Sequence, residues 1–245
     1  MFLGDYHTHT TLSHGKGSIE DNVISAIKAG LKEIAITDHG FGHGSYAVRR
    51  KAYEEAKKQV AELNKKYEEI NILLGLECNL ITADGEVDLK EGEVDKLDIM
   101  VCGFHKLVKT DFKSAFGFCL PNLLGKNDKK TIVKNTDAYL KLLDNYEVDI
   151  ISHLNYAICA DAIEVGKACA RKGTYLELNG KRVNLTDAEI EKLAGEGVTF
   201  ILGSDAHRPE KVADMSVPME IVKRLGIPSQ SIANLDKLPS FRSRK

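Results

Sequence analysis

Residues 33–40, Glu-Ile-Ala-Ile-Thr-Asp-His-Gly, place a short β-rich run directly before a histidine. The run predicts a buried strand over 33–37, and His39 follows at the point where that strand ends. Strands with this character are predicted at 3–9, 33–37, 71–77, 97–104, 148–152, 174–179 and 198–203. Strands that are separated by helices pair in parallel through right-handed crossovers, so the alternation indicates an α/β fold.

Helical patterns fill most of the segments between these strands. Helices are predicted from the Ser18 N-cap to Gly30, over 45–67, 130–143 and 162–171, and from the capping box at Thr186 and Glu189 to Gly195 or Gly197. Residues 79–89 have the form of a β-hairpin, and residues 108–128 predict a long loop or lid. Seven strand units favour a closed or nearly closed β/α barrel over an open doubly wound sheet. Residues 1–245 are then a single domain, with a frayed C-terminal tail at about 229–245.

Composition narrows the classes of function. The chain has 245 residues, of which 43% are hydrophobic and 29% charged, and these are ordinary values for a globular protein. Its net charge of −2 provides no basic field, which disfavours nucleic acid as a partner. No apolar run approaches the ~18 residues of a membrane span and no secretory signal is visible, so a cytoplasmic location is expected. The five cysteines form no CxxC pair and are expected to be reduced thiols.

Side chains that commonly bind metals fall at the ends of the predicted strands. They are His7, His9, His39, Glu77, His105, His153, Asp205 and His207, with His14 in the loop after the first strand. A lone histidine after a strand is more often a hydrogen-bonded loop residue than a ligand. Strand ends converge at one mouth of a β/α barrel, however, so the whole set predicts a multinuclear metal site there. His43 is the only histidine left over.

Glu77 is the most informative member of this set. It interrupts an apolar run where a parallel strand is buried on both faces. A buried carboxylate needs a partner, and a cation is the most economical one. Asp38 and Asp205 can also be explained without a metal. Asp38 can hydrogen-bond to the backbone of a turn, and Asp205 can cap a helix that follows it.

With these residues in place, the chain resembles the polymerase and histidinol phosphatase (PHP) family over nearly its whole length. The matching motifs are Asp5-Tyr6-His7-Thr8-His9, Ser13-His14-Gly15, Ile36-Thr37-Asp38-His39-Gly40, Gly75-Leu76-Glu77, Gly103-Phe104-His105, Ser152-His153 and Gly203-Ser204-Asp205-Ala206-His207. The resemblance implies a distorted, TIM-like (β/α)7 barrel with its active site at the C-terminal ends of the strands. It also implies a cluster of three divalent metal ions, with zinc expected first and manganese or iron as alternatives.

The resemblance implies a set of ligands for each metal. The first metal is held by His7, His9, Glu77 and Asp205, the second by Glu77, His105 and His153, and the third by His14, His39 and His207. Glu77 then bridges two metals and offsets the repulsion between them. Asp38 reads as a group that orients a ligand or a neighbouring loop, and Asp5 as either the same or a strand-end hydrogen-bonding residue.

The leading hypothesis is a phosphatase that hydrolyses a small phosphate monoester, such as histidinol phosphate or another phosphorylated alcohol. A hydroxide that bridges two metals attacks phosphorus in line, with Glu77 as the bridge and Asp205 as one source of a proton for the leaving group. Lys106 and Arg182 are candidate phosphate contacts, with solvated surface charge as the stronger alternative for each.

Two further functions remain open. The same metals cleave phosphodiesters, so a phosphodiesterase or nuclease is the enzymatic alternative. A non-catalytic, metal-stabilised PHP module is the other. The sequence specifies neither an oligomeric state nor a natural substrate, and a homo-oligomer is left open.

Overall fold

A computed structural model of the chain describes residues 1–241, which form short parallel strands separated by helices. The strands are β1 (Gly4–Asp5), β2 (Glu33–Ile36), β3 (Asn71–Leu74), β4 (Leu76–Asn79), β5 (Met100–Gly103), β6 (Ile150–Ile151), β7 (Tyr175–Asn179) and β8 (Phe200–Gly203). The helices are α1 (Ile19–Lys28), α2 (Arg50–Lys66), α3 (Phe112–Ser114), α4 (Leu120–Leu123), α5 (Lys129–Asn145), α6 (Ala162–Lys172), α7 (Asp187–Gly195) and α8 (Ser216–Arg224). Within these residues, no helix combines the length and apolar character needed to traverse a bilayer.

The N-caps predicted for two helices are confirmed. Ser18 accepts the Asp21 backbone N–H at the start of α1, and Thr186 accepts the Glu189 N–H at the start of α7. In both cases the acidic side chain accepts a hydrogen bond from the backbone N–H of the cap residue, so the capping box satisfies donors that a helix start otherwise leaves free.

The strands form two parallel sheets that share one interrupted strand. β1, β2 and β3 make the first sheet, and β4 to β8 make the second in sequence order. Only Gly75 separates β3 from β4, and a side chain at this position would collide with the Ile99 carbonyl oxygen. Glycine therefore permits the close approach at this interruption, before which β3 pairs with β2 and after which β4 pairs with β5.

Isolated bridges join the edges of the two sheets into a ring. His39 pairs with Glu77 in parallel, which links the end of β2 to β4. Thr8 pairs with Ala206 in parallel, and the His9 N–H donates to the Ala206 carbonyl at 2.8 Å. With β3 and β4 counted as one strand, the result is the seven-stranded α/β barrel that the sequence predicts. The first strand is regular only over Gly4–Asp5 but resumes its pairing at Thr8.

Two connections differ from the predictions. The connection from β4 to β5 carries a 3-10 turn, Val94–Lys96, which was not predicted. The predicted hairpin over 79–89 is reduced to one antiparallel bridge between Leu80 and Val87. The irregular loop predicted for 108–128 is wrong, because this segment is mainly helical: α3, a π-helix over Ala115–Cys119, and α4 follow one another. That the segment acts as a lid stays a prediction. Pro121 is tolerated there, since it lies at the start of α4.

The frayed tail predicted for about 229–245 is wrong as far as Phe241. Phe241 is 2% exposed and packs on Tyr6, with ring centroids 4.9 Å apart. It belongs to a buried cluster with inward-facing strand residues such as Ala35 and Ile201. The polar composition of the tail concealed this apolar anchor, which covers the barrel interior. The basic positions Arg242, Arg244 and Lys245 lie outside the described residues.

Asn234, in the C-terminal segment, forms hydrogen bonds to β1 and β8, the strands at which the barrel closes. Its amide nitrogen donates to the Gly4 and Leu202 carbonyls at 2.9 and 2.7 Å, and its oxygen accepts the Leu202 N–H at 3.0 Å. Asn234 is fully buried, so β1 and β8 depend on it for these backbone partners.

Replacement of Asn234 by alanine is expected to lower the free energy of unfolding by about 3 kcal/mol, because it leaves buried backbone groups of Gly4 and Leu202 without a hydrogen-bond partner. Chemical denaturation of the variant beside the parent protein measures the change. The exposed Gln230→Ala serves as the control and is expected to shift stability by less than about 0.5 kcal/mol. Equal stability of the two variants would contradict the closing role of Asn234.

Candidate metal centre

The predicted ligands gather where the strands end. Four groups have nitrogen or oxygen atoms within 4.8 Å of one another: His9, His39 and His207; His7, Glu77 and His153; His7, His9 and Asp205; and His39, Glu77 and His105. Eight of the nine predicted ligands are members of these groups. His14 is the exception, and its ring lies beside the cluster, with centroids 4.2 Å from His207 and 4.9 Å from His39.

Glu77 lies at the middle of the cluster and is 1% exposed. Its Oε1 lies 2.7 Å from His153 Nε2, 3.2 Å from His7 Nε2 and 3.4 Å from His105 Nε2. Its Oε2 faces His39 Nδ1 at 3.0 Å and His9 Nε2 at 3.6 Å. Burial alone would raise the pKa of this carboxyl, but the surrounding histidines, His105 and His7 first, hold it well below its usual range. Glu77 is therefore an anion enclosed by imidazoles.

Asp205 supplies a second carboxylate at the opposite edge of the cluster. Its Oδ1 lies 3.3 Å from His9 Nε2, 3.3 Å from His207 Nδ1 and 3.0 Å from Lys181 Nζ. Burial opposes its ionisation, but His7 and His9 outweigh that effect and hold the pKa of Asp205 well below its usual range. Its φ of +51° places the backbone in the left-handed region, a strained conformation that often marks functional sites.

Several imidazole nitrogens in the cluster are buried without a hydrogen-bond partner. They are His7 Nε2, His9 Nδ1, His9 Nε2, His14 Nδ1 and His39 Nδ1, five of the seven such side-chain atoms in residues 1–241. Three of them lie close to carboxylate oxygens, His7 Nε2 and His39 Nδ1 at 3.2 and 3.0 Å from Glu77 and His9 Nε2 at 3.3 Å from Asp205, but none of these pairs is aligned as a hydrogen bond. A buried nitrogen left unpaired costs free energy, so this donor set fits divalent cations, which would satisfy these nitrogens.

Burial also favours the neutral form of three of these rings, whereas nearby carboxylates, Glu177 first, outweigh burial at His7 and raise its pKa well above its usual range. Burial is the first cause that lowers the pKa of His39 to about 3 and that of His14 to about 4. The pKa of His9 is lowered well below its usual range, by burial and then by His39. Neutral imidazole is the form that binds metals, so the environment prepares these side chains for that role.

Glu177 supports the cluster and was missed by the sequence analysis. Its Oε1 lies 2.7 Å from His7 Nδ1, and its Oε2 accepts the His153 backbone N–H at 2.8 Å. It therefore orients one ring and one strand end at once. The signal was present, because Glu177 interrupts the buried apolar strand β7 just as Glu77 interrupts its own run.

Asn79, also missed, orients His105. Its side-chain oxygen lies 2.8 Å from His105 Nδ1, and its own backbone N–H donates to Asp88 Oδ1 at 2.8 Å. The Gly42 N–H donates to the other oxygen of Asp88 at 2.8 Å, so this carboxylate ties the loop after β2 to the end of β4. Asn79 lies two residues after Glu77, on the same face of the strand.

The two aspartates of the first motifs have distinct roles. Asp38 orders the neighbouring loop, because it accepts the Thr10 N–H at 2.7 Å, the Thr10 hydroxyl at 2.6 Å and the Ser13 hydroxyl. Asp5 is a strand-end hydrogen-bonding residue that accepts the Ser204 N–H at 3.1 Å and the Ala213 N–H at 2.9 Å.

A cavity of about 500 Å³ lies over the cluster. Its lining includes basic residues from two loops, Lys106, Lys181 and Arg182, beside the acidic and imidazole groups. Lys181 Nζ is also 2.7 Å from His207 Nδ1. Lys106 and Arg182 are the basic candidates predicted from the sequence, but Lys181, which was not predicted, lies nearest to the carboxylates, 3.0 Å from Asp205 Oδ1. Basic side chains thus line the same cavity as the predicted metal ligands.

His43, unassigned by the sequence analysis, lines the same cavity. Its Nδ1 accepts the backbone N–H groups of Tyr46 and Ser45 at 3.2 and 3.4 Å. Burial is the first cause that lowers the pKa of His43 to about 4, so the ring is neutral and carries its proton on Nε2. Tyr46 stacks on His14, with ring centroids 4.2 Å apart, and helps to hold that ring at the cavity wall.

Comparison with known proteins assigns the chain to a family. The PHP domain family matches residues 5–182. A probable phosphatase of Thermoanaerobacter sp. (strain X514) is 31% identical over 95% of this chain and 90% of that protein. The DNA polymerase/3'-5' exonuclease PolX of Bacillus subtilis (strain 168) is 28% identical over 96% of this chain and 39% of its own length. The chain belongs to the PHP domain family.

A solved structure has the same fold as this chain. Histidinol phosphate phosphatase from Lactococcus lactis subsp. lactis Il1403, complexed with zinc, L-histidinol and phosphate, superposes with a TM-score of 0.63. Sequence identity is 18%, and the match covers 99% of this chain and 98% of the other. At this identity the likeness establishes the barrel architecture.

Conversion of Asp38 to asparagine is expected to loosen the loop that carries His9 and His14, because an amide cannot accept all three hydrogen bonds. The Thr10 amide should exchange with solvent at least about tenfold faster, measured by hydrogen exchange. Asp137→Asn, on the exposed face of α5, is the matched control. Unchanged protection of Thr10 in the Asp38 variant would show that another contact holds the loop.

Proposed function

We propose that this chain is a metal-dependent phosphatase that hydrolyses the phosphate monoester of a small alcohol at three divalent metal ions. The observation that carries the proposal is the set of five buried, unpartnered imidazole nitrogens around the ionised Glu77. The enzyme class agrees with the family and with relatives named as probable phosphatases.

We assign the ligands in three sets. His7, His9, Glu77 and Asp205 hold the first metal, Glu77, His105 and His153 the second, and His14, His39 and His207 the third. The first set is supported by the close grouping of His7, His9 and Asp205, and the second by the two groups that contain Glu77. In the third set, His39 and His207 group with His9, while His14 brings an unpartnered Nδ1 beside them.

Zinc is proposed first, with manganese and iron as alternatives. Seven of the nine proposed ligands are imidazoles, which suit zinc and iron, and the two carboxylates suit manganese as well. When bound, such cations would supply Lewis-acid activation of the nucleophile and neutralise charge on the phosphoryl group.

The side chains of the pocket would orient the ester and handle its proton. Lys181 and Arg182 line one side and are placed to bind phosphoryl oxygens, and His43 can donate its Nε2–H. Asp205 was predicted from the sequence as one source of a proton for the leaving group. Because nearby histidines hold its pKa well below its usual range, we propose it instead as a ligand and a partner for Lys181. Lys181 Nζ, 3.0 Å from Asp205, is then the group that can give a proton to the leaving alkoxide.

A nuclease remains the second candidate, because the PolX relative that is similar over 96% of this chain is named as an exonuclease. The net charge of −2 disfavours a long nucleic-acid substrate. Hydrolysis of a short oligonucleotide at a rate that rivals monoester hydrolysis would reverse this ranking.

Removal of the metals tests the central proposal. Dialysis against a chelator should abolish hydrolysis of phenyl phosphate, and titration with zinc or manganese should restore it as about three equivalents are bound per chain. Elemental analysis of the protein as purified gives the metal count independently. Full activity of the metal-free protein would refute the proposal.

Glu177→Gln tests the support of His7. Loss of the carboxylate that orients a ligand typically weakens metal affinity by roughly 10- to 100-fold, and a decrease of that size is expected for one of the metals. Competition with a chromophoric chelator measures it. Glu191→Gln, at an exposed position of α7, is the control and should bind all metals as the parent does.

A further inference from the structure

A second cavity adjoins the pocket over the proposed ligands. It has a volume of about 230 Å³ and is lined mainly by apolar side chains, among them Phe104, Phe116 and Leu120. Lys106 and Leu107 line both cavities, so the apolar groove and the polar pocket adjoin at these two residues. A polar site beside an apolar cleft is typical of sites that bind a ligand with one charged and one apolar end.

Leu107 stands at the junction in a strained conformation. It is 64% exposed, and its φ of +62° is one that an aliphatic residue rarely adopts. Its carbonyl oxygen accepts the Gly44 N–H at 2.8 Å, at a position where a side chain on Gly44 would collide with that oxygen. The next residue, Val108, pairs with His43 in an antiparallel bridge. The surrounding contacts thus hold an exposed leucine at the mouth of the pocket at a cost in backbone energy.

The helical segment over 111–124 forms the far wall of the groove. Phe116 is 58% exposed and Leu123 39% exposed, and both line it. Exposed apolar side chains that border a cleft mark a binding surface more often than isolated ones do. The segment contains the π-helix, an element that frequently occurs at functional sites.

We propose that this groove binds the apolar part of the leaving group, so that the preferred substrates are phosphate monoesters of alcohols or phenols with an extended hydrocarbon portion. The inference rests on the proposed phosphatase function. Its basis is that the two cavities adjoin: a leaving group that extends from a phosphoryl group beside Lys181 in the polar pocket would reach the groove past Leu107. A docking surface for a membrane or another protein would not require the groove to adjoin the pocket.

A homologous series of esters tests the proposal. Ethyl, butyl and hexyl phosphate have leaving groups of nearly equal acidity, so differences in kcat/KM report binding of the chain. Each methylene that enters the groove is expected to raise kcat/KM by up to about fourfold. The measurement uses the full chain loaded with its metals.

Two variants test whether the groove is where the alkyl chain binds. Phe116→Ala and Leu107→Asn should each lower the hexyl-to-ethyl ratio of kcat/KM by roughly tenfold, because they remove apolar contact area. Asparagine suits the left-handed backbone at position 107, and Phe116 is half exposed, so neither change should unfold the protein. Leu124→Ala is the control: Leu124 is 66% exposed but does not line the groove, and the ratio should stay at the parent value.

The outcomes separate the two proposals. If none of the esters is hydrolysed by the metal-loaded protein, the phosphatase function fails. If ethyl phosphate is hydrolysed but the ratio is near one, or is unchanged in Phe116→Ala, the groove proposal is overturned while the phosphatase function stands. Loss of vesicle binding or of self-association in Phe116→Ala, with an unchanged ratio, would also overturn it, because the groove would then be a docking surface.

Discussion

The carboxylate of Glu77, buried among imidazoles, is the constraint on which the rest of the structure depends. An isolated anion in a barrel interior is costly, so the surrounding histidines must be held close to it. Those side chains come from the ends of different strands, and each ring needs its own support. Glu177 and Asn79 provide that support for His7 and His105. The arrangement of the side chains at the C-terminal ends of the strands thus follows from one buried charge.

The barrel and most of the site could be predicted because the relevant signals are local. A strand that ends at His39 is visible in eight consecutive residues, and a carboxylate at position 77 stands out in an apolar run. Glu177 carries the same signal and could have been found by the same rule. Lys181 could not, since its proximity to Asp205 depends on how the loop after β7 folds back over the cluster.

The remaining errors come from interactions that local patterns do not report. Phe241 is one aromatic residue in a polar tail, and only the packing against Tyr6 shows why the tail is ordered. Residues 108–128 contain turn-forming residues, yet helices form there because the apolar side chains of the segment pack against Phe104 and its neighbours. Helix formation in such a segment is decided by tertiary contacts more than by intrinsic propensity.

Barrel closure between Thr8 and Ala206 joins positions that are about 200 residues apart in the chain. The consequence concerns synthesis: His7 and Asp205 cannot meet until residue 205 has left the ribosome. Until then the emerging chain exposes histidines and carboxylates that lack their final neighbours, and contacts of such long sequence separation form slowly. The ligand set proposed for the first metal is therefore completed late in synthesis, whereas Glu77, His105 and His153 are all available once residue 153 has emerged.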